Sequence, residues 1–210
     1  MNYSISNLHG KYKSKLITAQ QAAALVKNGD KVSYGCFHTK PIAFDIALAE
    51  RIESGEIKKL DTFIVGTILP VPQVLLKMIQ KQNEGDFKYN TSWYGPIERM
   101  LAASGVPAFI PIHFQDVIKL RTEPLWHDSL RRDISVIQCA PMDSFGNFNF
   151  GIANAHTRRD MLNSPIKIVE VNTNFPVIYG GAEEHLHIDE IDYIIEGTNP
   201  NVLYASYRTN

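Results

Sequence analysis

The chain is poor in cysteine, with only Cys36 and Cys139 among its 210 residues. Two thiols make neither a disulfide scaffold nor a four-cysteine zinc site. Net charge is equally scarce: 21 Lys+Arg against 22 Asp+Glu leave −1. That balance excludes a generic nucleic-acid binder, and no lysine-rich tail offers a membrane patch. Long apolar runs are missing too. The uncharged stretch 62–76 is broken by Pro70 and Pro72 and falls short of the roughly 20 residues that span a bilayer. Residues 1–9 lack the basic-then-apolar layout of a signal peptide, so a cytoplasmic location is expected. G-x-G-x-x-G and G-x-x-x-x-G-K-[ST] are both absent, which disfavours ordinary NAD enzymes and P-loop NTPases. No internal repeat or low-complexity tract occurs.

What is present is an ordinary globular mixture, 44% hydrophobic and 20% charged, enough for one large domain or two small ones sharing a sheet. Thr18 and Gln21 have capping-box spacing ahead of Ala22, Leu25 and Val26, with Gly29 placed for a left-handed C-cap. A short strand is predicted over 31–36, and Pro41 opens a helix that stops near Gly55. Residues 61–65 read as a strand buried on both faces. Further helices are predicted over 71–81, 96–103, from Gln115, over 154–163 and over 183–191. Strands are predicted over 87–92, 107–113, 133–139, 166–171 and 193–195. This alternation implies an α/β domain: an open, mostly parallel sheet with helices on both faces.

In such sheets ligands bind at loops leaving the carboxyl ends of strands. The first of these, residues 34–41, offers Gly35 for close backbone approach, and the helix from Pro41 aims N–H groups toward an acidic group. The alternative is a tight strand-to-helix turn. Cys36 and His38 are placed to share a side of an extended segment, but no orienting acid is near in sequence, and Cys36 reads as packing. Cys139 lies inside a strand and reads as core. His185 and His187 fall on different faces of the predicted helix and read as a solvated polar surface, so no metal site is expected. Arg158 and Arg159 read as a surface pair.

Several segments together resemble the N-terminal half of the acetyl-CoA hydrolase/transferase family, which includes 4-hydroxybutyrate and butyryl-CoA:acetate CoA-transferases. They are residues 16–32 (LITAQQAAALVKNGDKV), 35–41 (GCFHTKP), 105–114 (GVPAFIPIHF), 132–151 (RDISVIQCAPMDSFGNFNFG), 170–180 (EVNTNFPVIYG) and 187–192 (HIDEID). The resemblance implies a CoA-transferase fold, related to those of ribose-5-phosphate isomerase and glucosamine-6-phosphate deaminase. It also implies a ping-pong exchange. A glutamate attacks the acyl-CoA thioester, the released CoA thiolate converts the acyl-glutamyl anhydride to a glutamyl-CoA thioester, and an acceptor carboxylate attacks that.

The nucleophile of such enzymes lies in a second domain, within an E-x-x-x-D-G segment. None of Glu50, Glu53, Glu98, Glu123 and Glu170 has that context, so the catalytic glutamate is expected outside this chain. Residues 1–196 are expected to form the N-terminal domain and 197–210 to start an inter-domain linker. By position, Gly35, Phe37, Pro41, Gly66, Thr67, Pro141, Phe145, Gly146 and Gly151 are expected to line the substrate pocket, with Phe148 either joining Phe145 at the acyl group or packing in the core. The implied partners are acyl-CoA and a short carboxylate, a C-terminal CoA-transferase domain or subunit, and further copies of the chain in a homo-oligomer. Coenzyme A enters as substrate, with no permanently bound cofactor. Two other readings stand beside this one: an acetyl-CoA hydrolase half, and a non-catalytic interaction module of the same fold.

Overall fold

The computed structural model describes residues 5–117, 119, 131–181 and 183–201. The chain opens with α1 (Ile5–Lys15) and α2 (Ala19–Ala24), then β1 (Lys31–Cys36), α3 (Ala43–Glu53), β2 (Lys59–Val65), α4 (Gln73–Gln80), β3 (Asp86–Thr91) and α5 (Pro96–Leu101). It continues with β4 (Pro107–Phe109), β5 (Ile134–Cys139), β6 (Asn147–Asn149), α6 (Thr157–Leu162), β7 (Ile166–Val171), β8 (His185–His187) and β9 (Tyr193–Glu196). Seven strands form one parallel sheet in the order β4-β3-β2-β1-β5-β7-β9, while β6 and β8 pair separately and antiparallel.

The pleat divides the core. Val32, Tyr34, Ile134, Val136 and Ile168 face one side, where α2, α3 and α4 contribute Ala22, Phe44, Leu48 and Met78. Ile137, Cys139, Val169 and Ile194 face the other, covered by Leu8 of α1, Met161 of α6 and the small β6–β8 pair. Successive side chains of a strand alternate in this way, so β5, β7 and β9 feed both cores.

The capping box forms as its spacing requires: Thr18 Oγ1 accepts from Gln21 N at 3.1 Å, and Thr18 N donates to Gln21 Oε1 at 2.9 Å. Gly29 does adopt φ +95, but α2 ends at Ala24, and Gly29 N instead donates to Lys59 O at 2.8 Å. Several elements differ from the sequence reading. The helix predicted over 183–191 is strand β8 followed by a short 3-10 turn, because His185-Leu186-His187-Ile188 alternates with period two, burying Leu186 and Ile188. Helix α1 and strand β6 are additions to it. The edge strand β4 is shorter than predicted, and Pro111, which has no N–H to give a ladder, lies just beyond it.

Candidate functional site

β1 and β5 are neighbours from which the chain winds in opposite directions, toward β2–β4 and toward β7 and β9. Their carboxyl ends therefore form the topological switch point, where open parallel sheets place ligands. β1 leaves the sheet through Gly35, which has φ +65 beside a register shift between Ser33 and Cys36. A Cβ there would stand 2.6 Å from Thr39 Oγ1 and 2.9 Å from Ile137 Cγ2. Thr39 Oγ1 also accepts from Cys36 N at 2.9 Å. The close approach at Gly35 is thus made by the protein's own side chains, and the turn is what requires the glycine.

Phe37 follows with φ +48 and turns the chain into a short 3-10 segment, so Cys36 and His38 do not lie on an extended run. The Phe37 ring covers Gly66, where a Cβ would collide with its Cε1 edge, and meets Trp93 edge-on at 5.7 Å between centroids. The Cys36 thiol is buried against Phe63 and Val65 and contacts Thr157 Oγ1 at 3.4 Å. Cys139 is core, its thiol pushed well above the ordinary value by burial and the nearby Glu170.

Beside this turn is a small cavity of about 80 Å³, lined by His38, Lys40, Ile42, Gln138, Pro70 and Pro200 among others. Lys40 Nζ donates to the carbonyls of Ile68 and Pro70. Burial pushes its ammonium down to about 8, against the opposing charges of Asp45 and Glu98. Pro41 is buried and lines a neighbouring cavity of about 150 Å³ with Lys40, Asp45 and Pro72. Residues 197–201 close the same edge: Gly197 N donates to Val171 O, and Asn199 Oδ1 accepts from Thr173 N at 2.7 Å.

Among the described residues three buried carboxylates, Asp45, Glu98 and Glu170, frame the edge, and each is committed to backbone. Glu170 accepts from Ile42 N, Ala43 N and Phe44 N at 2.8, 3.0 and 2.9 Å, occupying the start of α3. The acidic group to which this helix was expected to point is the protein's own. Asp45 accepts from Gln73 N and Val74 N at the start of α4; burial raises it to about 7 despite those donors. Glu98 accepts from Thr67 N at 3.0 Å, Gly95 N at 2.9 Å and Tyr89 Oη at 2.7 Å, and the Tyr89 hydroxyl lies 2.6 Å from Thr67 Oγ1. Burial first, then Glu98, holds the Tyr89 phenol well above its ordinary value. Thr67, placed in the pocket by position, is therefore fixed by Glu98 and Tyr89. Sequence reasoning missed all three acids' roles. A charged residue inside an apolar strand run, such as Glu170 within Ile166–Val171, is the signal that flags one of them.

The remaining expected residues gather elsewhere. Pro141 lines a separate cavity of about 400 Å³ with His9, Tyr12, Lys13 and Glu196. Phe145 is 75% exposed, and the Cβ position of Gly146 (φ +89) abuts His187 and Leu8. Phe148 is fully buried and stacks on Tyr12, so it is core. Gly151 (φ +60) abuts Phe175 and the Pro176 carbonyl. Arg158 and Arg159 pair with Glu190 and Glu183. Among the described residues no grouping of three His, Cys, Asp or Glu is placed to hold a metal, and no helix is long and apolar enough to cross a membrane. Glu123 lies outside the described residues.

Residues 1–203 match the acetyl-CoA hydrolase/transferase N-terminal domain. Relatives include the butyryl-CoA:acetate CoA-transferase of Anaerostipes caccae, 35% identical over 191 residues that cover 91% of this chain and 41% of that protein. The 4-hydroxybutyrate coenzyme A transferase of Clostridium kluyveri is 29% identical, with 90% and 41% covered. The chain thus spans about two fifths of the length of the curated relatives it matches. Among solved structures, RipA from Yersinia pestis superposes with TM-score 0.83 at 24% identity, covering 97% of this chain and 47% of RipA. A 4-hydroxybutyrate CoA-transferase from Porphyromonas gingivalis gives 0.63 at 19% identity, covering 94% and 42%. Both likenesses concern the fold.

Proposed function

Since the chain belongs to the acetyl-CoA hydrolase/transferase family, we propose that it is the substrate-pocket half of a CoA-transferase moving CoA between a short-chain acyl-CoA and a carboxylate such as acetate. The observation that carries this reading is the commitment of Asp45, Glu98 and Glu170. Each buried carboxylate at the sheet's carboxyl edge is already bonded to backbone N–H groups, and Glu98 and Glu170 are fully buried. A nucleophile needs a free oxygen facing the thioester carbon, within reach of groups that stabilise the developing oxyanion. The glutamate that forms the acyl anhydride and then the CoA thioester belongs on a C-terminal domain or subunit that meets this edge.

On this reading the present chain supplies walls and orientation. The Phe37–Trp93 contact and the loop at Pro70 border one side, and residues 197–201 border the other. The test is to assay CoA transfer from butyryl-CoA to acetate with the 210-residue chain alone, and with it joined to the C-terminal domain of a butyryl-CoA:acetate CoA-transferase. Transfer is expected only in the joined protein. Turnover by the isolated chain, or a covalent chain–CoA adduct seen by mass spectrometry, overturns the assignment.

A further inference from the structure

The two edges of the parallel sheet present different surfaces. At the amino edge, the turns that lead into β2 and β3 expose Glu56, Gln82, Asn83 and Glu84. At the carboxyl edge, large apolar side chains stand in solvent instead: Leu69 after β2, Trp93 after β3 and Phe114 after β4. Three more are consecutive, Val177, Ile178 and Tyr179 in the segment after β7, with Val177 54% and Tyr179 84% exposed. Single exposed apolar residues are ordinary, but a run of three beside others on one edge marks an interaction surface.

That run is fixed in place along its length. Asn149, buried at the end of β6, grips Ile178 from both sides: its Nδ2 donates to Ile178 O at 2.9 Å and its Oδ1 accepts from Ile178 N at 3.1 Å. Asn149 O in turn accepts from Ala140 N just beyond β5, so the segment crosses from the end of β7 to the end of β5. Before the run, Phe175 is buried against Gly151. After it, Glu184 accepts from Gly180 N and from Gly181 N, the latter at 3.0 Å. Three apolar side chains are thus held toward water by backbone bonds on the other side. A surface already ordered before it is covered loses less conformational entropy on docking.

The position of the chain's exit selects the occupant. The segment leaving β9 is tied to the root of this same loop: Asn199 Oδ1 accepts from Thr173 N at 2.7 Å, and Asn199 O accepts from Asn174 Nδ2 at 2.6 Å. The matched region is an N-terminal domain and spans about two fifths of the curated relatives. A domain that follows β9 therefore starts beside Val177–Tyr179. We infer that residues 176–181 are a docking strap for the C-terminal CoA-transferase domain, with Val177, Ile178 and Tyr179 as its apolar contacts. The inference rests on the functional reading above for the identity of that domain.

The test is hydrogen–deuterium exchange, read by mass spectrometry on the 210-residue chain and on the chain joined to the C-terminal domain of a butyryl-CoA:acetate CoA-transferase. Among the described residues the Val177 and Tyr179 amides have no acceptor. They are expected to exchange quickly in the chain alone and about tenfold or more slowly in the joined protein. The turn at 82–84, on the opposite edge, is expected to exchange alike in both. Val177→Lys combined with Tyr179→Lys changes exposed positions, so the thermal midpoint of the 210-residue chain should hold while fast exchange at the strap returns in the joined protein. Equal exchange at the strap in the two wild-type proteins overturns the inference, as does slowing that survives both lysines. Slowing in the chain alone that grows with concentration assigns the strap to a second copy and overturns it too. CoA transfer is scored separately. Transfer with a fast-exchanging strap removes the docking surface and leaves the functional reading, whereas slowed exchange without transfer supports the surface and removes the reading.

Discussion

Glu170 and Glu190 are close in chemistry and opposite in use. Glu170 is fully buried under α3 and accepts three backbone N–H bonds. Glu190, on the far side of the sheet, is half-buried and pairs with Arg158 at 2.5 Å. The same division separates two regions. Around the β1–β2–β3 carboxyl edge the acids are desolvated and hold loops and helix starts in place. Around α1, α6 and the β6–β8 pair, Asp189, Glu183 and Asp192 meet Lys11, Arg159 and Lys167 in partly exposed ion pairs. A buried carboxylate is tolerated only where donors replace its water, and removing it strands those donors. An exposed pair exchanges one hydrated state for another and contributes little.

The sharpest break of this comparison is Glu170→Ala. Three buried N–H groups lose their acceptor at about 1–3 kcal/mol each, so a loss of about 3 kcal/mol or more is expected in urea denaturation. A midpoint close to wild type shows that water or another acceptor replaces the carboxylate. Next comes Gly66→Ala. The residue sits at φ +66 under the Phe37 ring, and the left-handed backbone alone costs a non-glycine residue about 1–2 kcal/mol. The ring must also leave Trp93, so a changed tryptophan emission is expected along with the lowered midpoint. Unchanged emission would place the Phe37–Trp93 contact elsewhere in solution.

Asp45→Asn sharpens the contrast through pH. Burial holds the folded carboxyl protonated up to about 7, against 3.8 for the ordinary group. The folded state therefore binds the extra proton between these values, and stability falls as pH rises through that window. The asparagine of the variant does not titrate, so the stability difference, wild type minus variant, is expected to decline from pH 3.8 to about 7. A flat difference means that Asp45 titrates normally. The smallest effect is expected for Arg159→Ala. Its partner Glu183 is on the surface, and no resolvable change in thermal midpoint should follow. A clear loss there would erase the distinction between the two regions.

Local chemistry alone was enough for the seven strands of the parallel sheet and for the first capped helix, but not for β6 and β8. The runs at 31–36 and 133–139 are short and rich in apolar residues, as suits strands that the sheet buries almost throughout; Thr18 and Gln21 need only each other. The order of these elements also sufficed for an α/β parallel sheet, and the motifs in their order for the family. The sequence did not reveal α1, whose Ser, Asn, Gly and Tyr are indifferent helix formers. It is held by Leu8 in the second core and by Lys15 Nζ reaching the Ile188 and Ile191 carbonyls, contacts more than 170 residues away in sequence. Likewise nothing local marks Glu170 as the partner of α3, or Asn149 as the residue that holds Ile178. Positions such as Gly35 and Gly66 were recognisable as special, but whether a substrate or the protein's own side chain fills the space beside them depends on what the fold brings there. Tertiary packing decides these matters because the acceptor for a buried donor can come from any strand that ends at the same edge, whatever its distance along the chain.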